Sequence, residues 1–389
     1  MLALTGMKIL ISTGEASGDL YAAALVSALQ LRMPDAEFFG CTGPRLRKAG
    51  VRTVVDAARL NVVGLVEVVR HIPRIYGEFR RLAASAEHEK PDLAILTDSP
   101  DFHLRLAPKL KALGIPVVYL VAPQVWAWRK GRLSRMRRSL DHLLCIFPFE
   151  EDFFRAHGLA ATYIGHPLTR IVKPALTREQ FLAKHGLDGN RPLVVVLPGS
   201  RPGEILRHLS ILGPAVARIR EKMPVEVVLA TTPGTARRLG NKLLEPFSVS
   251  SIQQLEGETW DAVAAADLAL AASGTVTIEA TLLGTPMVSF YKVSPWSWWM
   301  GRFLVDVPHF TMVNLIARKR VVPELIQQEF TSEKLAAEAI RLLINQEERH
   351  AQQLELMQVT RKLASEEDPM DRAAGIVLRI LGKEEAHVG

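Results

Sequence analysis

Residues 8–19 read KILISTGEASGD, and residues 193–204 read LVVVLPGSRPGE. In each stretch a short apolar run ends at a glycine, and a helical period of apolar residues follows. A strand, a tight glycine turn and a helix in this order are typical of the start of a doubly wound parallel sheet. The chain therefore contains two such starts, one in each half.

Apolar strand runs recur after both starts, with helical periods between them. They are predicted at Leu93–Thr97, Val117–Val121, Leu143–Phe147, Val225–Ala230, Leu268–Ala272 and Met287–Tyr291. This alternation predicts the α/β class, with two Rossmann-like doubly wound parallel-sheet domains that face each other across a cleft. We expect the linker in Pro167–Thr177, which gives domains 1–170 and 171–365. The last helix, about 366–389, is expected to pack back on the first domain.

Length and composition predict two domains, or alternatively three, in a reducing cytosol. The 389 residues are 48% hydrophobic and 23% charged, which excludes general disorder. Cys41 and Cys145 are the only cysteines, so neither a disulfide scaffold nor a cysteine metal site is expected. A net charge of +7 favours anionic partners such as nucleotides, phosphosugars or an acidic lipid surface. Because neither a spanning segment nor a signal peptide is recognisable, we expect a soluble or peripheral protein.

Two segments of the first half carry candidate functional groups. Gly14 and Gly18 permit a tight turn with room for a ligand at a helix N-terminus, and Glu15 between them suits sugar hydroxyls better than a diphosphate. An ordinary turn with Asp19 as a first-turn acid is the alternative. Asp98 directly follows an apolar strand, where a carboxylate can act as general base, whereas Asp101 is expected to cap the next helix.

Two loops of the second half predict a phosphate site. In each, a strand is followed by small residues and a helix, so backbone N–H groups become available to an anion. Arg201 adds a fork-shaped cation for a pyrophosphate, and Glu279 could accept the hydroxyls of a ribose. A solvated Arg201 and a Glu279 that caps its own helix are the alternatives. The loop residues concerned are Gly199, Ser200, Ser273, Gly274 and Thr275.

Three segments indicate a lipid-like substrate or contact with a membrane surface. Val62–Tyr76 clusters apolar residues beside arginines, and Pro73 is expected to break its helical period. Residues 129–138 hold six basic side chains and no acid, and Pro295–Met300 contains three tryptophans. Aromatic residues beside cations suit a lipid headgroup interface, although they would also suit a nucleic acid. Core packing is the alternative for any one of these segments.

Taken together, the motifs resemble those of the lipid-A-disaccharide synthase family, bacterial inverting glycosyltransferases of the two-domain GT-B type. The resemblance extends from about residue 8 to the tail. The segments that carry it are GEASGD at 14–19, TDSPDF at 97–102, APQVWAWR at 122–129, FPFE at 147–150, IGHPL at 164–168, LPGSR at 197–201 and ASGT at 272–275.

The resemblance implies a reaction between two lipidated sugars. UDP-2,3-diacylglucosamine would give its sugar to the 6-hydroxyl of 2,3-diacylglucosamine 1-phosphate, and a β-1,6 disaccharide 1-phosphate and UDP would form. It also implies no metal and no cofactor, no nucleic acid partner, and a peripheral location on the cytoplasmic face of the inner membrane. A homodimer is a further expectation.

The resemblance also implies roles for individual residues. Asp98 would be the catalytic base, with Glu15 as a second catalytic candidate, and Arg201 would contact the UDP phosphates. The remaining substrate-binding candidates are Gly14, Ser17, Gly18, Gly199, Ser200, Ser273, Gly274, Thr275, Glu279 and Asn314. Ser99 and Gln124 are mild departures from the family pattern.

Other functions stay open at this point. A UDP-GlcNAc epimerase or a lipid-linked GlcNAc transferase would use the same two-domain design, although the oily Val62–Tyr76 segment argues against a fully water-soluble substrate. A non-enzymatic membrane or RNA adaptor would use the basic residues 129–138. Such an adaptor would not need Asp98 or a second set of phosphate loops.

Overall fold

The computed structural model describes residues 6–60, 65–127, 130–247, 252–294 and 308–382, except the side chains of 65–72 and 130. The chain forms two compact units. Unit 1 comprises Met1–Pro167 and Leu363–Gly389, and unit 2 comprises Leu168–Lys362. We had expected the division at residue 170 and the return of the chain near residue 366.

Unit 1 contains a parallel sheet of seven strands within the described residues, in the order β3-β2-β1-β4-β5-β6-β7. The strand order reverses between β1 and β4, which is the doubly wound arrangement predicted. The strands are β1 (Lys8–Ser12), β2 (Glu37–Thr42), β3 (Arg52–Asp56), β4 (Leu93–Thr97), β5 (Val117–Leu120), β6 (His142–Cys145) and β7 (Ala161–Tyr163).

Helices connect these strands, and one helix from the end of the chain joins them. They are α1 (Ala16–Arg32), α2 (Pro44–Lys48), α3 (Leu65–Glu89), α4 (Pro100–Ala112), α5 (Leu133–Ser139), α6 (Pro148–Ala156) and α16 (Pro369–Ile380), with 3₁₀ turns at Ala57–Arg59 and Lys130–Arg132. Helix α16 packs on α1, where Arg32 Nη1 donates to the carbonyl of Asp371 at 2.6 Å.

Unit 2 repeats this design with six parallel strands in its described part, in the order β10-β9-β8-β11-β12-β13. Here the order reverses between β8 and β11. The strands are β8 (Leu193–Leu197), β9 (Glu226–Thr231), β10 (Gln253–Glu256), β11 (Leu268–Ala272), β12 (Met287–Tyr291) and β13 (Glu324–Ile326).

The helices of unit 2 cover this sheet, and α14 packs along α9. They are α7 (Leu168–Ile171), α8 (Arg178–His185), α9 (Pro202–Lys222), α10 (Thr235–Leu239), α11 (Thr259–Ala265), α12 (Thr275–Leu282), α13 (Met312–Ala317), α14 (Ser332–Ile344) and α15 (Gln346–Leu363), with 3₁₀ turns at Gly240–Leu243 and Glu245–Phe247.

The central strands form because their apolar side chains are buried on both faces of the sheet. Every residue of β4, β8 and β11 is buried, as expected where helices cover both faces of a parallel sheet. At a reversal of strand order the two flanking loops diverge and leave a crevice at the carboxyl ends of the strands. Each unit therefore has one such position, after β1 and β4 or after β8 and β11.

The expectation that Pro73 interrupts its helix is wrong. Helix α3 continues through Pro73, which is exposed, so the missing N–H and the bulk of the ring are tolerated on the solvent side. Residues 61–64, the pair 128–129 and the segment Pro295–Met300 lie outside the described residues. No helix in the described part of the chain is long and apolar enough to cross a bilayer.

Candidate active site

Asp98 directly follows β4, where the strand order of unit 1 reverses. Its carboxylate accepts hydrogen bonds from the loop that follows β1. The N–H of Gly14 donates to Oδ1 at 2.8 Å, while Thr13 Oγ1 and the N–H of Glu15 donate to Oδ2 at 2.7 and 3.0 Å. The structure therefore brings together the predicted residues Gly14, Glu15 and Asp98, and adds Thr13.

Burial raises the pKa of the Asp98 carboxyl from its usual 3.8 to about 7. The hydrogen bonds from Thr13, Ser99 and the backbone of Glu15 and Gly14 lower this pKa, because they stabilise the carboxylate, but burial has the larger effect. A group that titrates near neutral pH can be ionised in the resting site and still hold a proton during a reaction. The Asp98 carboxyl therefore has the properties of a general base.

The two glycines of the β1–α1 loop leave room for the loop that carries Asp98. A Cβ built on Gly18 would overlap Asp98 Oδ2, and one built on Gly14 would overlap Ser99 Oγ. We had expected a ligand in this space, and the structure fills at least part of it with Asp98 and Ser99. Contact of either glycine with a substrate stays a prediction, as it does for Ser17, which is half-buried in the first turn of α1.

Two neighbouring acids have structural partners. The Asp19 carboxylate accepts hydrogen bonds from three backbone N–H groups and thereby caps α2; the donors are Gly43, Arg45 and Leu46. Asp101 forms an ion pair with Arg132. The N-cap residue of α4 is Ser99, and Asp101 lies in the first turn, so its expected capping role stays a prediction.

In unit 2, the loop between β8 and α9 contains Gly199, Ser200 and Arg201. Gly199 has φ +116°, a conformation that favours glycine. Arg201 is the exposed N-cap residue of α9, and Ser200 beside it is also exposed. The free N–H groups of the first turn of a helix attract anions. Pro202, the first residue of α9, has no N–H, and the N–H groups of Glu204 and Ile205 donate to the Arg201 carbonyl. The donors at this edge of the sheet are therefore the Ser200 hydroxyl, the Arg201 guanidinium and the Gly203 N–H.

The second loop of unit 2, between β11 and α12, lies at the same sheet edge because β8 and β11 are neighbours. Ser273 is tied to the end of β12, since its N–H donates to the carbonyl of Phe290 at 2.8 Å. Gly274 is the N-cap of α12, and both Gly274 and Thr275 are exposed. The two loops together could hold a nucleoside diphosphate.

Two further predicted residues of unit 2 lie in helices. Glu279 is half-buried on α12. Asn314 is fully buried on α13, where Oδ1 accepts the N–H groups of Val321 and Val322 at 2.7 and 2.9 Å and Nδ2 donates to the carbonyl of Val322. The Asn314 amide thus stabilises the turn that precedes β13 through these three hydrogen bonds. Its contact with a substrate stays a prediction.

One further residue near this site, His208, lies buried on α9 and is not among the predicted candidates. Its Nδ1 donates to the carbonyl of Pro198 at 2.8 Å, and its Nε2 accepts the N–H of Lys292 at 3.1 Å. Burial lowers the His208 pKa to about 4, so the ring is neutral at physiological pH. It ties the β8–α9 loop to the end of β12. A single histidine on an apolar helix face gives no signal of such a role.

A metal site is not evident in the described ranges: no three His, Cys, Asp or Glu side chains lie together there in a way that could hold an ion. The groups that the structure does present are a carboxylate with a near-neutral pKa in unit 1 and two loops in unit 2 that lead into helix N-termini. Such groups suit proton abstraction and the binding of a diphosphate.

Known proteins match almost the whole length of this chain. The model of the family "LpxB: Lipid-A-disaccharide synthetase" matches residues 9–377. Lipid-A-disaccharide synthase of Solibacter usitatus is 60% identical, over 98% of this chain and 99% of its own length. The enzyme of the same name from Myxococcus xanthus is 43% identical over 96% of this chain and 97% of its own.

Solved structures with low sequence identity share the fold. UDP-GlcNAc 2-epimerase of Neisseria meningitidis, bound to UDP-GlcNAc, has a TM-score of 0.64 at 14% identity, and the match covers 97% of this chain and all of that one. MurG of Acinetobacter baumannii has a TM-score of 0.55 at 15% identity and covers 96% and 99% of the two chains. The two parallel sheets and these matches show a fold of the GT-B type.

Proposed function

The chain belongs to the lipid-A-disaccharide synthase family, glycosyltransferases of lipid A biosynthesis, and we propose that it joins two diacylated glucosamines. The donor is UDP-2,3-diacylglucosamine and the acceptor is 2,3-diacylglucosamine 1-phosphate. The 6-hydroxyl of the acceptor attacks C1 of the donor sugar and inverts it. The products are the β-1,6 disaccharide 1-phosphate and UDP.

In this proposal Asp98 is the base. As the acceptor oxygen forms its bond to C1, its proton passes to the Asp98 carboxylate, and the bond from C1 to the diphosphate breaks with its electron pair on UDP. Inversion in a single displacement requires one base on the acceptor side. The observation that carries the proposal is the Asp98 carboxyl itself, held by Gly14 and Glu15 with a pKa of about 7.

Unit 2 binds the donor. The Arg201 guanidinium, the N–H of Gly203 in the first turn of α9 and the N–H groups that begin α12 stabilise the charge that develops on the departing diphosphate. The hydroxyls of Ser273 and Thr275 bind the same phosphates, and Glu279 accepts the ribose hydroxyls.

Two further residues contact the substrates in this proposal. Glu15 contacts the hydroxyls of a substrate sugar, and Asn314 contributes to the nucleotide pocket through the turn that its amide holds in place. In this arrangement fixed cations and dipoles supply the stabilisation, so no metal ion is required.

The acyl chains of both substrates lie in a bilayer, so the enzyme must reach a lipid surface. We infer that it is peripheral on the cytoplasmic face of the inner membrane. Arg135, Arg137 and Arg138 of α5 are exposed, and Tyr76 on α3 is 60% exposed. Exposed cations attract anionic headgroups, and an exposed aromatic ring suits the interface.

A UDP-release assay with three substrate combinations tests the function. With both acylated substrates present, UDP should form in step with the consumption of acceptor. The UDP-diacylglucosamine donor alone and UDP-GlcNAc alone should give neither UDP nor a new sugar. Conversion of UDP-GlcNAc alone into an epimer, or UDP release without acceptor, would contradict the proposal.

A further inference from the structure

We propose that His103 and Tyr119 are positioning residues for Asp98, an inference that rests on the proposed role of Asp98 as base. Both side chains are fully buried. Each donates a hydrogen bond to the main-chain carbonyl of Asp98: His103 does so through Nδ1 at 2.8 Å, and Tyr119, on the neighbouring strand β5, through its hydroxyl. Two buried donors thus converge on one carbonyl oxygen beside the candidate base.

The backbone at this point has a conformation that needs such support. Asp98 has φ +55° and Ser99 has φ +39°, values in the left-handed region that residues with a Cβ rarely adopt. Such residues persist where the surrounding structure fixes them, and they concentrate at active sites. The two hydrogen bonds fix the orientation of the peptide between Asp98 and Ser99. In that orientation the Asp98 carboxylate meets the N–H groups of Gly14 and Glu15.

His103 is itself fixed from its other side. A carbonyl only accepts, so Nδ1 carries the proton, and Nε2 of the neutral ring accepts from Ser12 Oγ at 2.7 Å. Burial lowers the pKa of His103 to about 4, so the ring keeps this neutral form at physiological pH. His103 therefore links the end of β1, through Ser12, to the carbonyl of Asp98.

Two substitutions of His103 separate positioning from packing. In His103→Asn the amide nitrogen stands near the place of Nδ1 and can still donate to the Asp98 carbonyl. In His103→Gln the amide stands nearer the place of Nε2, so that donor is lost. We expect His103→Gln to lower kcat about tenfold or more while the KM for the UDP-linked donor stays within about twofold, because a misplaced base affects the chemical step. His103→Asn should recover most of this loss.

Tyr119→Phe removes only the second donor and should also lower kcat with little change in KM. Matched controls lie elsewhere in unit 1. His157 Nδ1 donates to the carbonyl of Phe153 at 2.7 Å, and the Tyr163 hydroxyl donates to the carbonyl of Leu363 at 3.0 Å. His157→Gln and Tyr163→Phe remove the same kinds of bond far along the chain from Asp98 and should leave kcat unchanged.

Two results of the same assays would contradict the positioning role. Equal losses of kcat in His103→Asn and His103→Gln would show a packing role, and unchanged kcat in His103→Gln and Tyr119→Phe would show no role. If His103→Gln lacks a folded circular dichroism spectrum, Tyr119→Phe, which removes one oxygen atom, decides the matter. Asp98→Asn is measured in parallel. If it retains turnover, the proposed base is wrong. If Asp98→Asn loses turnover but the His103 and Tyr119 variants do not, the proposed base stands and only the positioning role is wrong.

Discussion

The raised pKa of the Asp98 carboxyl has a direct kinetic consequence. The base acts as the carboxylate, so kcat/KM should be highest above the pKa of about 7 and should fall as pH decreases through it. Below that pKa the expected slope is about tenfold per pH unit. A pH–rate profile from about pH 5 to 9 measures this. If kcat/KM stays constant down to the usual pKa of a carboxyl, burial does not raise the pKa of Asp98.

Gly18 provides a test of the close approach between α1 and Asp98. A Cβ at Gly18 would overlap Asp98 Oδ2, so Gly18→Ala should displace the carboxylate and lower kcat about 10–100-fold. The matched control is Gly375→Ala, also within a helix, where a Cβ would meet no atom within 4 Å. The control should keep its activity and gain roughly 0.5–1 kcal/mol of stability. Equal activity of both variants would contradict the close approach.

At this scale the sequence suggests candidate groups more readily than the residues that hold them. Asp98 is recognisable as a candidate because a carboxylate directly after an apolar strand is costly to bury. Its partners are not, because Thr13, His103 and Tyr119 are ordinary residues of a strand end, a helix and a strand. Only the pairing of β1, β4 and β5 brings them together.

At the scale of elements, the loop at the start of α9 is expected to hold the UDP diphosphate through Arg201. Arg201→Ala should weaken UDP binding about tenfold or more, since a hydrogen bond to a charged group contributes about 1.5–3 kcal/mol. Isothermal titration calorimetry with UDP measures this directly. Arg218→Ala, on the same helix but paired with Glu333, should bind UDP as the wild type does. Unchanged UDP affinity in Arg201→Ala would contradict the proposed contact between Arg201 and the phosphates.

The predicted strands at β4, β8, β11 and β12 have the observed ends, whereas all four edge strands are absent from the prediction, as is β2. The apolar runs of β4, β8 and β11 end at polar or small residues, so both ends are visible in the sequence. By contrast β10 has the sequence QQLE and β7 has only three residues, so neither forms an apolar run. Partial exposure at a sheet edge removes the pattern on which prediction depends.

At the scale of the whole molecule, the proposed substrates are anchored in a membrane, so the proposal requires the enzyme to bring its site to a lipid surface. Anionic lipid vesicles should therefore bind it, and the replacement of Arg135, Arg137 and Arg138 by alanine should weaken that binding. Three surface cations near the membrane contribute about 1 kcal/mol each. The control variant replaces the three exposed basic residues 318–320 of unit 2 by alanine, so that it loses the same number of positive charges. Equal vesicle sedimentation of the two triple variants would exclude α5 as the lipid-facing surface.

The proposed assignment of the base to unit 1 and of the diphosphate to unit 2 makes one measurement decisive. Asp98→Asn should keep UDP affinity within about twofold by calorimetry, because the diphosphate is assigned to unit 2, while its single-turnover rate falls about 100-fold or more. A thermal melt confirms that the variant is folded. A folded Asp98→Asn enzyme that forms the disaccharide 1-phosphate at close to the wild-type rate would contradict the claim that this carboxylate deprotonates the acceptor.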